Sequence, residues 1–295
     1  MRRNTVKHAL VATCGDVTRN HTLQMAAALA YYFVLSLFPA LILLSAAVAY
    51  LPVPDLFGHI LALMARFLPP DAMGLVQRVL SNVISANKGT FLSIGILSTL
   101  WVASGGFAAM IEALNIAYEV KDDRPFWKTR PLAVGLAFLT EALLLIALCL
   151  IVVGPRFGEW LAARVHLSWL FVIFWPCIQW TIAISFAIVA IEALYFFAPN
   201  VKQRFRATLP GATIAVGCWL GLSYLLGFYF RHFGSFNKTY GTLGAAIALM
   251  TWLYWTGFAL LVGAELNEEL AKISKQGKLE EKHEPSSITS IDLAA

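Results

Sequence analysis

The 295-residue chain is 59% hydrophobic and 13% charged, whereas a soluble domain is about 45–50% apolar and about 25% charged. With a mean hydropathy of +0.71, this excludes a disordered chain, a coiled coil and an ordinary cytosolic enzyme. What remains is an integral membrane protein with little mass outside the bilayer. The net charge of +5 needs no nucleic-acid partner, because the positive-inside rule accounts for it first.

A membrane-crossing helix needs about 20 mostly apolar residues. Stretches free of charged side chains predict six such helices, at about 27–50, 91–118, 132–154, 168–197, 208–230 and 242–265. Helices are expected because backbone polar groups in lipid must be satisfied within the segment. The first apolar run follows about twenty polar or mixed residues and is too long for a cleavable signal peptide. Pro39 should kink the first span and free the carbonyl of Leu35, with Tyr31, Tyr32 and Ser36 near enough to hydrogen-bond there.

The longest connection, 51–90, carries two apolar stripes, one through Leu56, Ile60, Leu63, Met64 and Phe67 and one through Leu75, Val76, Val79, Leu80, Val83 and Ile84. They predict short amphipathic helices on the outer surface or packed against the bundle. The expected fold is thus all-α: a polytopic membrane bundle of six transmembrane helices with short amphipathic helices in the first outer loop. Residues 1–270 form a single membrane domain. The Lys/Glu/Ser-rich tail, 271–295, is expected to be disordered.

Orientation follows from Lys and Arg. Fifteen of the 22 fall before the first span, after the second and fourth, or after the sixth; seven fall on the other side. Both termini should be cytoplasmic.

The spans contain Glu112, Glu141 and Glu192, with Glu265 at the inner end of the last. An ionisable residue in a span is costly, and by default it faces the bundle interior or water. All four acids fall at mid-membrane or in the inner half, which suggests a polar cavity open to the cytoplasm. Ser104, Ala108, Glu112, Asn115 and Glu119 recur on one face of the second span. Gly105 and Gly106 there, and the Gly217/Gly221 GxxxG spacing in the fifth span, permit close helix packing. The alternative is structural: the acids pair with loop cations such as Arg124, Arg130, Arg204 or Arg206 and lock helices together.

Other chemistries leave no trace. The six His never form HxxxH or HxH, the four Cys have no CxxC, and there is no P-loop or GxSxG. No metal, cofactor, catalytic residue or RNA-binding motif is indicated.

Several segments together resemble the YihY/BrkB family of bacterial inner-membrane proteins. They are Ala26–Pro39 (AAALAYYFVLSLFP), Gly105–Val120 (GGFAAMIEALNIAYEV) with Arg124-Pro125-Phe126 after it, Phe197-Ala198-Pro199-Asn200, Pro210-Gly211-Ala212, Tyr240-Gly241 and Trp252–Asn267 (WLYWTGFALLVGAELN). The resemblance covers about residues 20–270. It implies six membrane helices with both ends inside and a link to the cell envelope. Members have carried a ribonuclease BN label that is regarded as a misassignment, so the resemblance transfers no catalytic residue. It places Glu112, Asn115, Tyr118, Pro199, Asn200, Tyr240, Gly241, Gly263, Glu265 and Asn267 in the family's signature segments.

The leading functional expectation is transport or export of a lipid, amphiphile or small solute in envelope maintenance, with Glu112, Asn115, Glu141, Glu192, Asn200 and Glu265 as cavity residues. Membrane lipids are the expected partners, and no nucleic acid. The competing readings are a structural or interaction membrane protein and, last, a membrane-bound ribonuclease, for which no site for phosphoryl chemistry is visible. The oligomeric state is left open.

Overall fold

A computed structural model describes residues 2–49, 77, 91–165, 168–232 and 242–283, with some side chains inside those ranges left out. Among them are seven helices and no strand: α1 (Arg2–Arg19), α2 (Thr22–Ala49), α3 (Phe91–Ala117), α4 (Phe126–Val165), α5 (Ser168–Phe197), α6 (Phe205–His232) and α7 (Thr242–His283). The amphipathic helices expected in 51–90 lie outside the described residues.

Among the described residues, four helical stretches are long and apolar enough to cross a membrane: Phe126–Ile151, Phe174–Phe197, Phe205–Phe230 and Ala246–Lys275. Within α2, the stretch Thr22–Ser36 is also apolar. Helix α3 spans 27 residues, about 40 Å at 1.5 Å per residue. Large apolar side chains stand exposed along these helices, among them Tyr31, Leu145, Trp180, Tyr224 and Leu225. So much uncovered apolar surface suits lipid, not water.

Helices α2 to α7 pack on one another in chain order, and α7 returns to α2, so six helices close a ring. Helix α7 also touches α3, and α1 lies against α7 and α2. The interior is built largely from small residues, including Ala26, Ala113, Ala117, Ala133, Ala212, Ala215 and Ala264. In a membrane, where burying carbon gains little over lipid, small residues let backbones approach and gain dispersion contacts.

The closest approach is between α6 and α7. A Cβ on Gly263 would lie 2.5 Å from Tyr195 Oη, 2.6 Å from the Gly211 carbonyl oxygen and 2.8 Å from Ala215 Cβ. Gly106 meets α2 more loosely, its added Cβ 3.1 Å from Ser36 Oγ and 3.2 Å from Phe33 Cδ1. Around Gly105, Gly217 and Gly221 nothing lies within 4 Å. The tight glycine contact on α6 therefore falls at Gly211, not at the GxxxG pair.

Several prolines sit inside helices that continue through them, among them Pro155 and Pro176. Pro155 removes the N–H that would bond to Ile151. Gln179 on α5 supplies the missing donor: its Nε2 donates to the carbonyls of Leu150 (2.9 Å) and Ile151 (3.0 Å), and Trp175 Nε1 donates to Gly154 O (2.7 Å). Upstream of Pro39 the described side chains make one such local bond. Ser36 Oγ donates to Phe33 O, not to Leu35 O, and Tyr31 and Tyr32 are exposed.

Helix α7 continues to His283, through the first part of the expected disordered tail. Lys272 there bridges to Glu269 one turn back (2.8 Å) and to Glu119 at the end of α3 (3.2 Å). Side-chain pairing of this kind lets a helix outlast its apolar segment.

Candidate functional site

Polar side chains gather where α2 begins and α3 and α5 end, beside the far part of α7. Helix α3 ends in a Schellman arrangement: Glu119 N donates to Ile116 O and Val120 N to Asn115 O, both at 2.9 Å, with Glu119 left-handed at φ 52°. A left-handed glutamate is disfavoured locally. Its carboxylate is held by Arg19 of α1 and Lys272 of α7.

The ended helix leaves Asn115 buried and aimed at two loops. Its Nδ2 donates to Asp122 Oδ2 (3.0 Å), and its Oδ1 accepts from the Asn200 backbone N–H (2.8 Å). Arg124 completes the clasp. It bonds Asp122 through Nε (2.7 Å) and Nη2 (2.9 Å), and Nη2 also donates to Ala198 O (2.7 Å). The turn after α3 is thus stitched to the turn after α5. The Arg124 guanidinium holds the Asp122 carboxyl below its usual range, Asn115 contributing in the same direction.

A second group joins α6, α7 and α3. Asn267 Oδ1 accepts from Gly211 N (2.8 Å), and its Nδ2 donates to Thr208 O (2.9 Å) and Tyr118 Oη (3.3 Å). Buried Tyr195 donates to Leu260 O, tying α5 to α7 at the same level.

The third group centres on Glu265, only 1% exposed. Thr22, the first residue of α2, donates its hydroxyl to Glu265 Oε1, while Oε2 is buried with no protein partner. A crevice lined by Asn20, Thr22, Met25, Ala113, Ile116, Ala117 and Leu261 adjoins the carboxyl, with no room for a water molecule. The α1–α2 corner is shaped by His21, left-handed at φ 54°. Asp16 pairs with Arg19 (2.8 Å); burial pushes its carboxyl up, and neighbouring Glu269 pushes the same way.

The six residues expected to share a cavity are therefore placed differently. Asn115 and Asn200 meet directly. Glu265 is buried at the α2–α7 contact. Glu192 is buried on α5, 4% exposed. Glu112 and Glu141 are exposed. Helix α3 packs on α2, α4 and α7, and α5 packs on α4 and α6, so Glu112 and Glu192 sit on helices that are not ring neighbours. Thr22, Asp122 and Gln179 carry contacts that the sequence reading passed over. Among the described residues, no group of three or more His, Cys, Asp or Glu is arranged to hold a metal ion.

Comparison with known proteins follows the same outline. The model of a family described as virulence factor BrkB matches residues 13–289. The ribonuclease-like protein YfkH of Bacillus subtilis is 36% identical over 249 residues, 84% of this chain and 90% of the relative. A UPF0761 membrane protein of Alkalilimnicola ehrlichii is 29% identical over 265 residues, 87% of this chain and 56% of the relative. One from Stenotrophomonas maltophilia is 26% identical, with 86% and 58% covered. The chain thus spans a little over half the length of these UPF0761 relatives. No solved structure matches.

Proposed function

The chain belongs to the BrkB family of membrane proteins, and from that premise we propose that it is a six-span inner-membrane protein, both termini cytoplasmic, that moves a lipid, an amphiphile or a small solute in maintenance of the cell envelope. The reading is carried by one observation: two carboxyl side chains, Glu192 and Glu265, are buried within helices that otherwise suit lipid. Such groups are costly in a membrane, and their usual reason is an ion, proton or substrate path. Among the described residues Glu265 forms no ion pair, and the hydroxyl of Thr22 is the donor to its Oε1. The even ring of helices and the bias of Lys and Arg support the orientation. The test replaces Glu192 and Glu265 singly by Gln, which keeps shape and removes charge. Loss of function with normal membrane abundance supports the reading. Unchanged function in both variants ends it.

A second reading, a structural or interaction protein, draws on the clasp formed by Asn115, Asp122, Arg124 and Asn200, which satisfies its members and ties two turns together. In that case Gln variants that fail would also disappear from the membrane. YfkH carries a ribonuclease-like name. Phosphoryl chemistry needs a metal or an acid–base pair, and neither is indicated in the sequence. Metal-dependent tRNA cleavage that survives purification and is lost in a point variant would establish that activity.

A further inference from the structure

Arg130 stands apart from the other inner-side cations. It lies in the first turns of α4, and its Cζ sits 4.5 Å from the ring centroid of Trp101 on α3 and 5.8 Å from that of Phe126. Its Nε is buried and has no acceptor in the protein. No carboxylate pairs with it among the described residues; the buried Nε and the ring stacking distinguish it from the exposed loop cations. Stacking orients the guanidinium plane but satisfies none of its N–H groups.

The surroundings specify what would satisfy them. Trp101, Phe126 and Trp127 are 52%, 56% and 79% exposed on the apolar surface beside it. A phosphate approaching the outer N–H groups of the guanidinium along this apolar surface would match its planar fork. A lipid headgroup brings its phosphate this way. We infer that Arg130, stacked on Trp101 and Phe126, is a binding site for the phosphate of an anionic phospholipid in the adjoining leaflet. The site is independent of whether the chain transports anything.

Native mass spectrometry of the purified full chain tests this, titrating phosphatidylglycerol against diacylglycerol of the same acyl chains. Wild type should retain phosphatidylglycerol selectively. Arg130→Met should weaken that retention about tenfold, as for loss of a charge-assisted fork, and leave diacylglycerol unchanged. Arg130→Lys should fall between, because it keeps charge and loses the fork. Lys202→Met, which removes an exposed cation from the α5–α6 turn, should match wild type. If Arg130→Met proves unstable, Arg130→Lys and Trp101→Leu carry the test, each expected to weaken phosphatidylglycerol several-fold. Equal retention by wild type and the Arg130 variants overturns the inference. So does an equal loss in Lys202→Met, which would mean diffuse surface charge. So does soluble glycerol phosphate competing as well as the lipid, which would mean a free-phosphate site.

Discussion

Replacing Gly263 by Ala is the most telling perturbation of the bundle. The new methyl would meet Tyr195 Oη at 2.5 Å, the Gly211 carbonyl oxygen at 2.6 Å and Ala215 Cβ at 2.8 Å. Ordinary contact begins near 3.5 Å, so α6 and α7 must part by roughly 1 Å. Only the tyrosine could swing aside, and doing so would break its bond to Leu260 O. The carbonyl and the Cβ belong to α6 and cannot rotate away. Overpacking of this kind costs about 1–3 kcal/mol, and the tyrosine bond adds about 1 kcal/mol. The expected loss is therefore about 3 kcal/mol. Gly217→Ala, with nothing within 4 Å, should be neutral or gain up to about 1 kcal/mol from helix propensity. Both can be read from reversible unfolding of the purified protein in mixed micelles. A Gly263→Ala protein within 0.5 kcal/mol of wild type, taking ~0.5 as the usual spread of neutral surface changes, would refute the close crossing. A comparable loss in Gly217→Ala would move the crossing along α6.

Gln179→Leu should cost about 1–3 kcal/mol, since it strands the Ile151 carbonyl that Pro155 leaves free; adding Pro155→Ala should recover much of the loss, and strictly additive effects would break the link. Thr22→Val should destabilise by about 1–3 kcal/mol because Glu265 loses its hydroxyl donor, whereas Thr22→Ser should be near wild type in the same unfolding measurement; equal losses would contradict the bond. Asp122 has a folded-state pKa below its ordinary value, so its stabilising effect is present above the ordinary carboxylate range and fades as pH falls through the depressed value. Asp122→Asn should flatten that acid limb in melting curves taken from pH 5 downward, and an unaltered limb would place the acid sensitivity elsewhere.

The apolar helices were legible because hydropathy alone marks them: 168–197 and 91–118 fall almost on Ser168–Phe197 and Phe91–Ala117. Helix ends were less legible. Hydropathy reports affinity for lipid, while a helix stops where its backbone bonds stop, so α4 begins at Phe126 and α7 runs on to His283. Helix α1 was missed because its mixed composition shows no long apolar stripe. In the polar sites, signature segments pointed to Asn115, Asn200, Glu265 and Asn267. Their partners were hidden. Thr22 and Glu265 are 243 positions apart, and nothing in either segment announces the other. Pro155 signals an orphaned carbonyl, but only the α4–α5 register identifies Gln179 as the donor that meets it. The small residues 217 and 221 suggested contact, yet spacing alone cannot say which face of α6 meets α7.

The functional claim rests on the buried acids, and one complementation experiment addresses it. A bacterial strain lacking the gene, sensitive to envelope stress, is supplied with wild type, Glu192→Gln or Glu265→Gln, and membrane abundance is measured in parallel. Wild type should restore growth under stress, while both variants reach the membrane at normal levels and fail to restore it. Full restoration by both variants would contradict a path through these carboxyls.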